Sequence, residues 1–352
     1  MGSKLRIGVE LTLSSKGALG SGRFPASLKR YRDTKPMNLQ TFQTVRNSAD
    51  EVDAVGALLR DLIDYAGLFP PASLAMAASV ANYDAYLRSE WRWILGRFII
   101  PVARLGEFEE AVAGLPTPTH GPGFVYWRLS ALLGSDPVAD VARIGEFNAR
   151  MTDYSSGRRA VVESVEVKVA SSDEVKQLSG IIPAELAAYF EILLSNYREC
   201  IAAVAGCGRR AKIRMGGETT DKFPAPESVI EFIRLCVVGN VPFKATAGLH
   251  HPLRSLHRFT YQGDSPSGTM HGFVNVFLAA AFLRAGMEPQ LAVELLEEQS
   301  AGAFQFDSEG VGWRQHRLSR DEIAAARQSF AVSFGSCSFT EPTDDLRSLH
   351  ML

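Results

Sequence analysis

The chain is poor in several features that would announce a function. It has four cysteines, Cys200, Cys207, Cys236 and Cys337, and no C-x-x-C pair among them. That removes a zinc ribbon and a thioredoxin-type redox motif. Thiols so few and scattered fit a reducing cytoplasm better than a disulfide framework. No apolar run approaches the roughly 18 residues needed to cross a bilayer, so no membrane partner is expected. Charge of one sign is also lacking. Lys and Arg number 37 against 39 Asp and Glu, a formal net charge of -2, which gives no reason to expect nucleic acid as a partner. There is no H-x-H or H-E-x-x-H spacing, and no internal repeat.

What is present is an ordinary globular composition, 46% hydrophobic and 22% charged over 352 residues, a length that one large α/β barrel fills. Residues 1–36 stand apart. Lys4, Arg6, Lys16, Arg23, Lys29, Arg30, Arg32 and Lys35 face only Glu10 and Asp33, amid many Ser and Gly. This stretch reads as a basic disordered tail, or as sequence upstream of a start at Met37. Residues 37–352 read as a single domain.

Two helices are expected first, over 49–66 with a capping-box spacing of Ser48 and Glu51, and over 73–88. Strand-like runs then follow at 97–102, 124–131, 162–169, 188–194, 211–215 and 242–247. Helix-like runs separate them at 105–113, 136–151, 172–178, 196–205 and 226–238. Six strands with intervening helices have the rhythm of parallel βαβ units. A polar loop at 261–268 leads to a long helix over 270–285 and a shorter one over 288–298. A hairpin pattern spans 303–318, then a helix over 320–328 and a last strand over 331–336. The expected fold is a (β/α)8 TIM-like barrel with extra N-terminal helices, irregular near unit seven, whose strand is sought near Phe304. A doubly wound open sheet is the alternative.

Charged residues sit inside the apolar strands, where they are costly without a partner or a task. Glu166 and Lys168 lie two apart on the third strand-like run, hence on one face. Glu191 is on the fourth, Lys212 and Arg214 share a face of the fifth, and Lys244 and Thr246 share a face of the sixth. Two acids against four bases suggest a basic mouth that takes a carboxylate or phosphate. Gly216, Gly217 and the G-S-C-S stretch with Ser336 offer backbone N–H groups for an anion. His250 and His251 follow the sixth run. One of them serves as general base, or, with Glu166, Glu191 or His271, as a metal ligand. Cys337 reads as a structural thiol or a nucleophile that needs a base. Asp64 and Tyr65 read as a helix end or as a wall of the pocket.

The run F-K-A-T-A-G around Lys244 resembles the K-x-[ST]-x-G strand of the deoxyribose-phosphate aldolase type. The resemblance covers about six residues and implies a Schiff-base lysine, on strand six by this count. Independently, a lysine crowded by Lys212 and Arg214 in a dry mouth is expected to have its pKa lowered. The region after Met37 as a whole resembles an uncharacterised bacterial TIM-barrel-like family, which implies the fold and no site residue. The expected function is therefore an enzyme, lyase- or aldolase-like, acting on a small anionic carbonyl metabolite without a cofactor. Lys244 is the Schiff-base or electrophilic lysine, Lys212 and Arg214 bind the anion, and Glu166 or Glu191 moves protons. One alternative is a hydrolase or isomerase that binds a divalent metal through His250 or His251. The other is a non-catalytic metabolite-binding protein. Either form can be oligomeric.

Overall fold

The computed structural model describes residues 53–116, 125–151 and 158–352. The basic stretch 1–36, the start of the first expected helix and its Ser48–Glu51 capping box lie outside them. Among the described residues eight parallel strands close a barrel, so the TIM-like reading holds and the open sheet does not. In chain order the barrel strands are β1 (Ile63–Tyr65), β2 (Leu95–Pro101), β3 (Val125–Leu132), β4 (Arg158–Val169), β5 (Ala187–Ile192), β6 (Arg210–Arg214) and β7 (Phe243–Thr246). The last is Ala331–Ser336.

The strand count differs from expectation at both ends. The helix expected over 49–66 is a short α1 (Ala54–Leu59), stopped where Asp61 takes a left-handed φ of 51°, and the chain then enters β1. The hydrophobic spacing that suggested a continuing helix is in fact shared between α1 and a three-residue strand. The second expected helix, α2 (Met76–Tyr86), lies between β1 and β2 and so belongs to the barrel repeat. Consequently Lys244 is on barrel strand seven, and Lys212 occupies strand six.

Between β2 and β7 each crossover carries one α-helix: α3 (Leu105–Ala113), α4 (Pro137–Arg150), α5 (Ser172–Ile181), α6 (Tyr197–Gly206) and α7 (Pro226–Val238). The crossover after β7 is the irregular one. It carries a two-stranded hairpin, β8 (Ser255–Arg258) with β9 (Ser267–Met270), inside the stretch expected as a loop. Helices α8 (Phe273–Arg284) and α9 (Pro289–Leu296) follow. All but the last residue of α8 is buried, as expected of a helix that is apolar on every side. The segment near Phe304 is not a barrel strand. Strands β10 (Phe304–Phe306), β11 (Gly310–Trp313) and β12 (His316–Ser319) form a separate antiparallel sheet. Helix α10 (Arg320–Ser329), with a Ser319–Glu322 capping box, then delivers β13 (Ala331–Ser336) between β1 and β7. Helix α11 (Thr340–Ser348) ends the chain.

Buried Arg327 on α10 ties this region together. Its guanidinium donates to the carbonyls of Leu58 and Arg60 at the end of α1 and of Ala331 and Val332 on β13. The loops leaving β6 and β7 meet as closely as backbones can. Gly248 has φ +68°, and a Cβ there would stand 2.6 Å from the Cα of Gly216. Gly248→Ala is therefore expected to destabilise the protein by about 1–3 kcal/mol. Gly206→Ala, at the open end of α6 with nothing near its Cβ, is expected to be neutral or slightly stabilising. Urea unfolding of the two variants decides it. Equal midpoints for Gly248→Ala and the unmodified protein would mean that this contact does not constrain the fold.

Candidate active site in the barrel interior and mouth

Strand alternation and register bring the strand charges together. Lys168, Glu191, Lys212 and Lys244 are neighbours on one rung, paired strand to strand across β4, β5, β6 and β7. Glu166 lies two residues below Lys168 on the same face and reaches across to β6 and β7. Lys244 Nζ donates to Glu166 Oε1 at 2.6 Å and to Asp64 Oδ2 at 2.7 Å. Lys212 Nζ donates to Glu166 Oε2 at 2.6 Å and lies 2.8 Å from Glu191 Oε2. Arg214 Nε donates to Glu191 Oε1 at 3.1 Å. The result is a chain of alternating charge, Asp64–Lys244–Glu166–Lys212–Glu191–Arg214, running from β1 to β6.

Hydroxyls and backbone complete it. Ser130 donates to Glu166 Oε1 and in turn accepts from Ser164, Ser333 donates to Asp64 Oδ2, and the Arg97 N–H donates to Asp64 Oδ1 at 2.7 Å. Gly96 leaves the room for that last contact, because a Cβ there would stand 2.3 Å from Asp64 Oδ1. Lys244, 1% exposed, also lies over the Tyr189 ring. Lys168 and Arg214 are exposed, so the chain's open end, at the mouth, is positive.

This geometry reverses one expectation. Lys244 was expected to have its pKa lowered by burial and by Lys212 and Arg214. Burial does oppose its charge, but Asp64 and Glu166 outweigh it and hold the amine above the ordinary lysine range. The same balance runs the other way at the acids. Burial opposes ionisation of Glu166, and Lys212 and Lys244 overcome it, leaving the carboxyl well below the usual carboxylate range. Asp64 is held low by Lys244 and Arg97 against burial, and Glu191 by Lys212, Arg214 and Lys168 against burial. Asp64 also changes the count of charges. Three carboxylates face Lys168, Lys212, Arg214 and Lys244, so the positive excess is one rather than two.

The remaining expected residues divide. Thr246 stands beside Arg214 and Gly335 in the register, on the interior face. Gly216 and Gly217 pack against Phe223, Gly248 and Lys222, a close-packing role for both. Ser336 accepts the N–H of Ser338 at the end of β13. His271 is buried between Arg254 and the Pro224 carbonyl, and burial pushes its pKa down to about 4. Asn275 accepts the Arg254 N–H and donates to the Leu295 and Glu298 carbonyls.

His250 and His251 belong to a second cluster at the C-terminal mouth, the side where barrels carry their reactive groups. A cavity of about 280 Å³ is lined there by His250, His251, His257, Arg258, Tyr261 and Glu341. His251 Nδ1 lies 2.6 Å from Asp345 Oδ2, and its ring stacks on His257 with centroids 3.3 Å apart. His250 Nδ1 faces Glu341 instead, at 3.3 Å. The two histidines thus serve different carboxylates. Among the described residues no group of three or more His, Cys, Asp or Glu side chains is disposed to hold a metal ion. Sequence reasoning missed Glu341, Asp345, Tyr261 and His257 as partners. They come from the hairpin and the last helix, and nothing in their spacing ties them to the strand-seven loop.

The acids of the interior chain have folded pKa values below their unfolded ones. They contribute stability that is fully present above the unfolded values near 4 and is lost as pH falls toward the folded ones. Urea unfolding followed by circular dichroism is expected to show falling stability from pH 5 to pH 3. Lys244→Met, which leaves Asp64 and Glu166 short of a partner, is expected to cost about 3–5 kcal/mol at pH 7 and to lose less on acidification. A variant as stable as the parent at pH 7 would remove the chain's structural weight.

No protein-family model matches this chain, and no curated protein sequence matches it, so any reading of its activity stands on the barrel and the two clusters just described.

Proposed function

We propose that this protein is an enzyme, lyase- or isomerase-like, acting on a small anionic carbonyl compound. The observation that carries the reading is the chain of six alternating charges inside the barrel, where Val, Ile and Leu ordinarily fill the layers. Buried ion pairs contribute little to net stability against apolar packing, so their presence here favours a chemical task.

In this reading Lys168 and Arg214, exposed at the open end, receive the substrate's carboxylate or phosphate. Lys244, buried beneath them as a fixed ammonium, acts through the field of the chain on negative charge that develops at the substrate's carbonyl oxygen. Glu166, at 2.6 Å from both lysine amines, relays the proton. A Schiff base needs a neutral amine, which Asp64 and Glu166 disfavour, so the electrophilic role is preferred to the covalent one. The complete internal pairing of the chain also supports a second reading, a non-catalytic protein that holds an anion at its mouth. Turnover separates the two.

Millimolar pyruvate or inorganic phosphate is expected to raise the melting temperature by linkage. The rise should vanish when Lys168→Gln and Arg214→Gln are combined. No rise in the unmodified protein with either probe would sink the anion reading. Borohydride with pyruvate or glyceraldehyde 3-phosphate is expected to leave Lys244 unmodified by peptide mass spectrometry. A reduced adduct on Lys244 would restore the Schiff base.

A further inference from the structure

The cavity of about 280 Å³ at the mouth is assembled from parts that the interior chain does not use. His250 and His251 come from the loop after β7, His257 to Tyr261 from the β8–β9 hairpin, and Glu341 from the start of α11. Most of the charges here are paired internally. Glu341 Oε2 accepts the Tyr261 hydroxyl at 3.1 Å and faces His250 Nδ1 at 3.3 Å. Burial opposes ionisation of Glu341, and His250 overcomes it. Asp345, one turn along α11, lies 2.6 Å from His251 Nδ1. His257 stacks on that paired ring, the two planes 9° apart. Burial and then His251 hold the His257 pKa below its ordinary value, so near neutral pH this imidazole adds no charge.

Arg258 is different. It lines the cavity and is exposed, and its guanidinium has no hydrogen bond, ion pair or ring contact among the described residues. The cavity therefore carries one positive charge with no internal counterpart. The Thr260 hydroxyl accepts the Gln262 N–H at 3.4 Å and keeps its own proton for another acceptor. A buried donor points the same way. His250 is 9% exposed, and its Nδ1 has no aligned hydrogen-bond partner, the contact with Glu341 being one of charge. Such a group is costly unless an acceptor reaches it. The rest of the wall includes the buried apolar side chains of Phe259 and Met270. A few polar groups over an apolar floor are the make-up of a small-molecule pocket, and this volume limits the occupant to a small one.

We propose that this cleft is a ligand site in its own right, made for a small monocarboxylate with a short apolar body. Arg258 takes the carboxylate, for which its planar fork offers a bidentate pair, and Thr260 is a further donor. The body lies against Phe259 and Met270. One unpaired cation matches one negative charge. The Glu341 carboxylate in the same wall works against a second, which disfavours a dianion such as a phosphate ester. A neutral analogue leaves Arg258 unmet, and an amine finds no free acid. No residue of the interior chain takes part, so the site does not rest on the roles assigned to Lys168 and Arg214.

The test is timed modification of the full-length protein by phenylglyoxal near neutral pH, with each arginine read separately by peptide mass spectrometry. Benzoate, a monocarboxylate with an apolar body, is expected to slow Arg258 at least tenfold at saturation, with its half-effect at millimolar concentration or below. The exposed Arg143 should react at the same rate throughout. Three relatives of the probe check the chemistry. Benzamide lacks the charge, acetate lacks the apolar body, and phenyl phosphate carries a second negative charge. Each should need at least tenfold more to give the same protection. No protection by benzoate, or protection by any of the three at the same concentration, overturns the proposal. The combined Lys168→Gln and Arg214→Gln variant should show the same protection of Arg258 by benzoate, even if those two residues bind no anion. Loss of protection in that variant would overturn the cleft as a separate site.

Discussion

The contact of Lys244 with Asp64 and Glu166 is the constraint from which the rest follows. A lysine ammonium out of water is tolerated only with partners in good geometry, and this one has two carboxylates, from β1 and β4. Each carboxylate then needs its own second partner. Glu166 finds Lys212 and Ser130, and Asp64 finds Ser333 and the Arg97 N–H. Lys212 passes the requirement on to Glu191 and Arg214. The polar interior is therefore a single connected object. Removal of one member leaves an uncompensated charge somewhere along it, which is why its parts cannot be weighed one at a time.

The mouth cluster is built on a different principle. Its histidines and tyrosine are borne by a loop and a hairpin and its carboxylates by α11, on top of the rigid strands. Tyr261 is 59% exposed, whereas Lys244 is sealed. A deep, fixed electrostatic pattern under a shallower set of titratable groups divides labour in the way a barrel permits. The interior holds its charges at any pH where the carboxylates are ionised. The mouth, with His250 shifted upward and His257 shifted downward by burial and by His251, contains imidazoles of opposite tendency within one cleft.

Much of this was legible in the residues. Strands β2 to β7 announce themselves as apolar runs between amphipathic helices, the pattern of buried parallel strands. The charges in β4 to β7 stood out because such runs rarely carry them. Strand β1 was hidden. It is three residues long and continues the apolar spacing of α1, so Asp64 looked like the end of a helix. That one omission had electrostatic results. Without Asp64, Lys244 appeared surrounded by cations and its pKa seemed bound to fall. With Asp64 and Glu166 in contact, it rises. The mouth partners were hidden for another reason. Glu341 and Asp345 lie 91 and 94 residues beyond the histidines they meet, and a helix-borne acid carries no local mark of such a meeting.

The shortness of β1 also bears on how the chain matures. Its outer neighbour is β13, with Ile63 opposite Phe334 and Tyr65 opposite Ser336. Asp64 and Lys244 are 180 residues apart. During synthesis the first strand leaves the ribosome long before the strand that closes against it, and its free edge stays open throughout. An open edge invites pairing with other chains. A strand of three residues with an aspartate at its centre is a poor template for such pairing, since a foreign strand would have to cover a carboxylate that has not yet met its lysine. The residue that anchors the finished interior thus serves, until the barrel closes, as a guard on its seam.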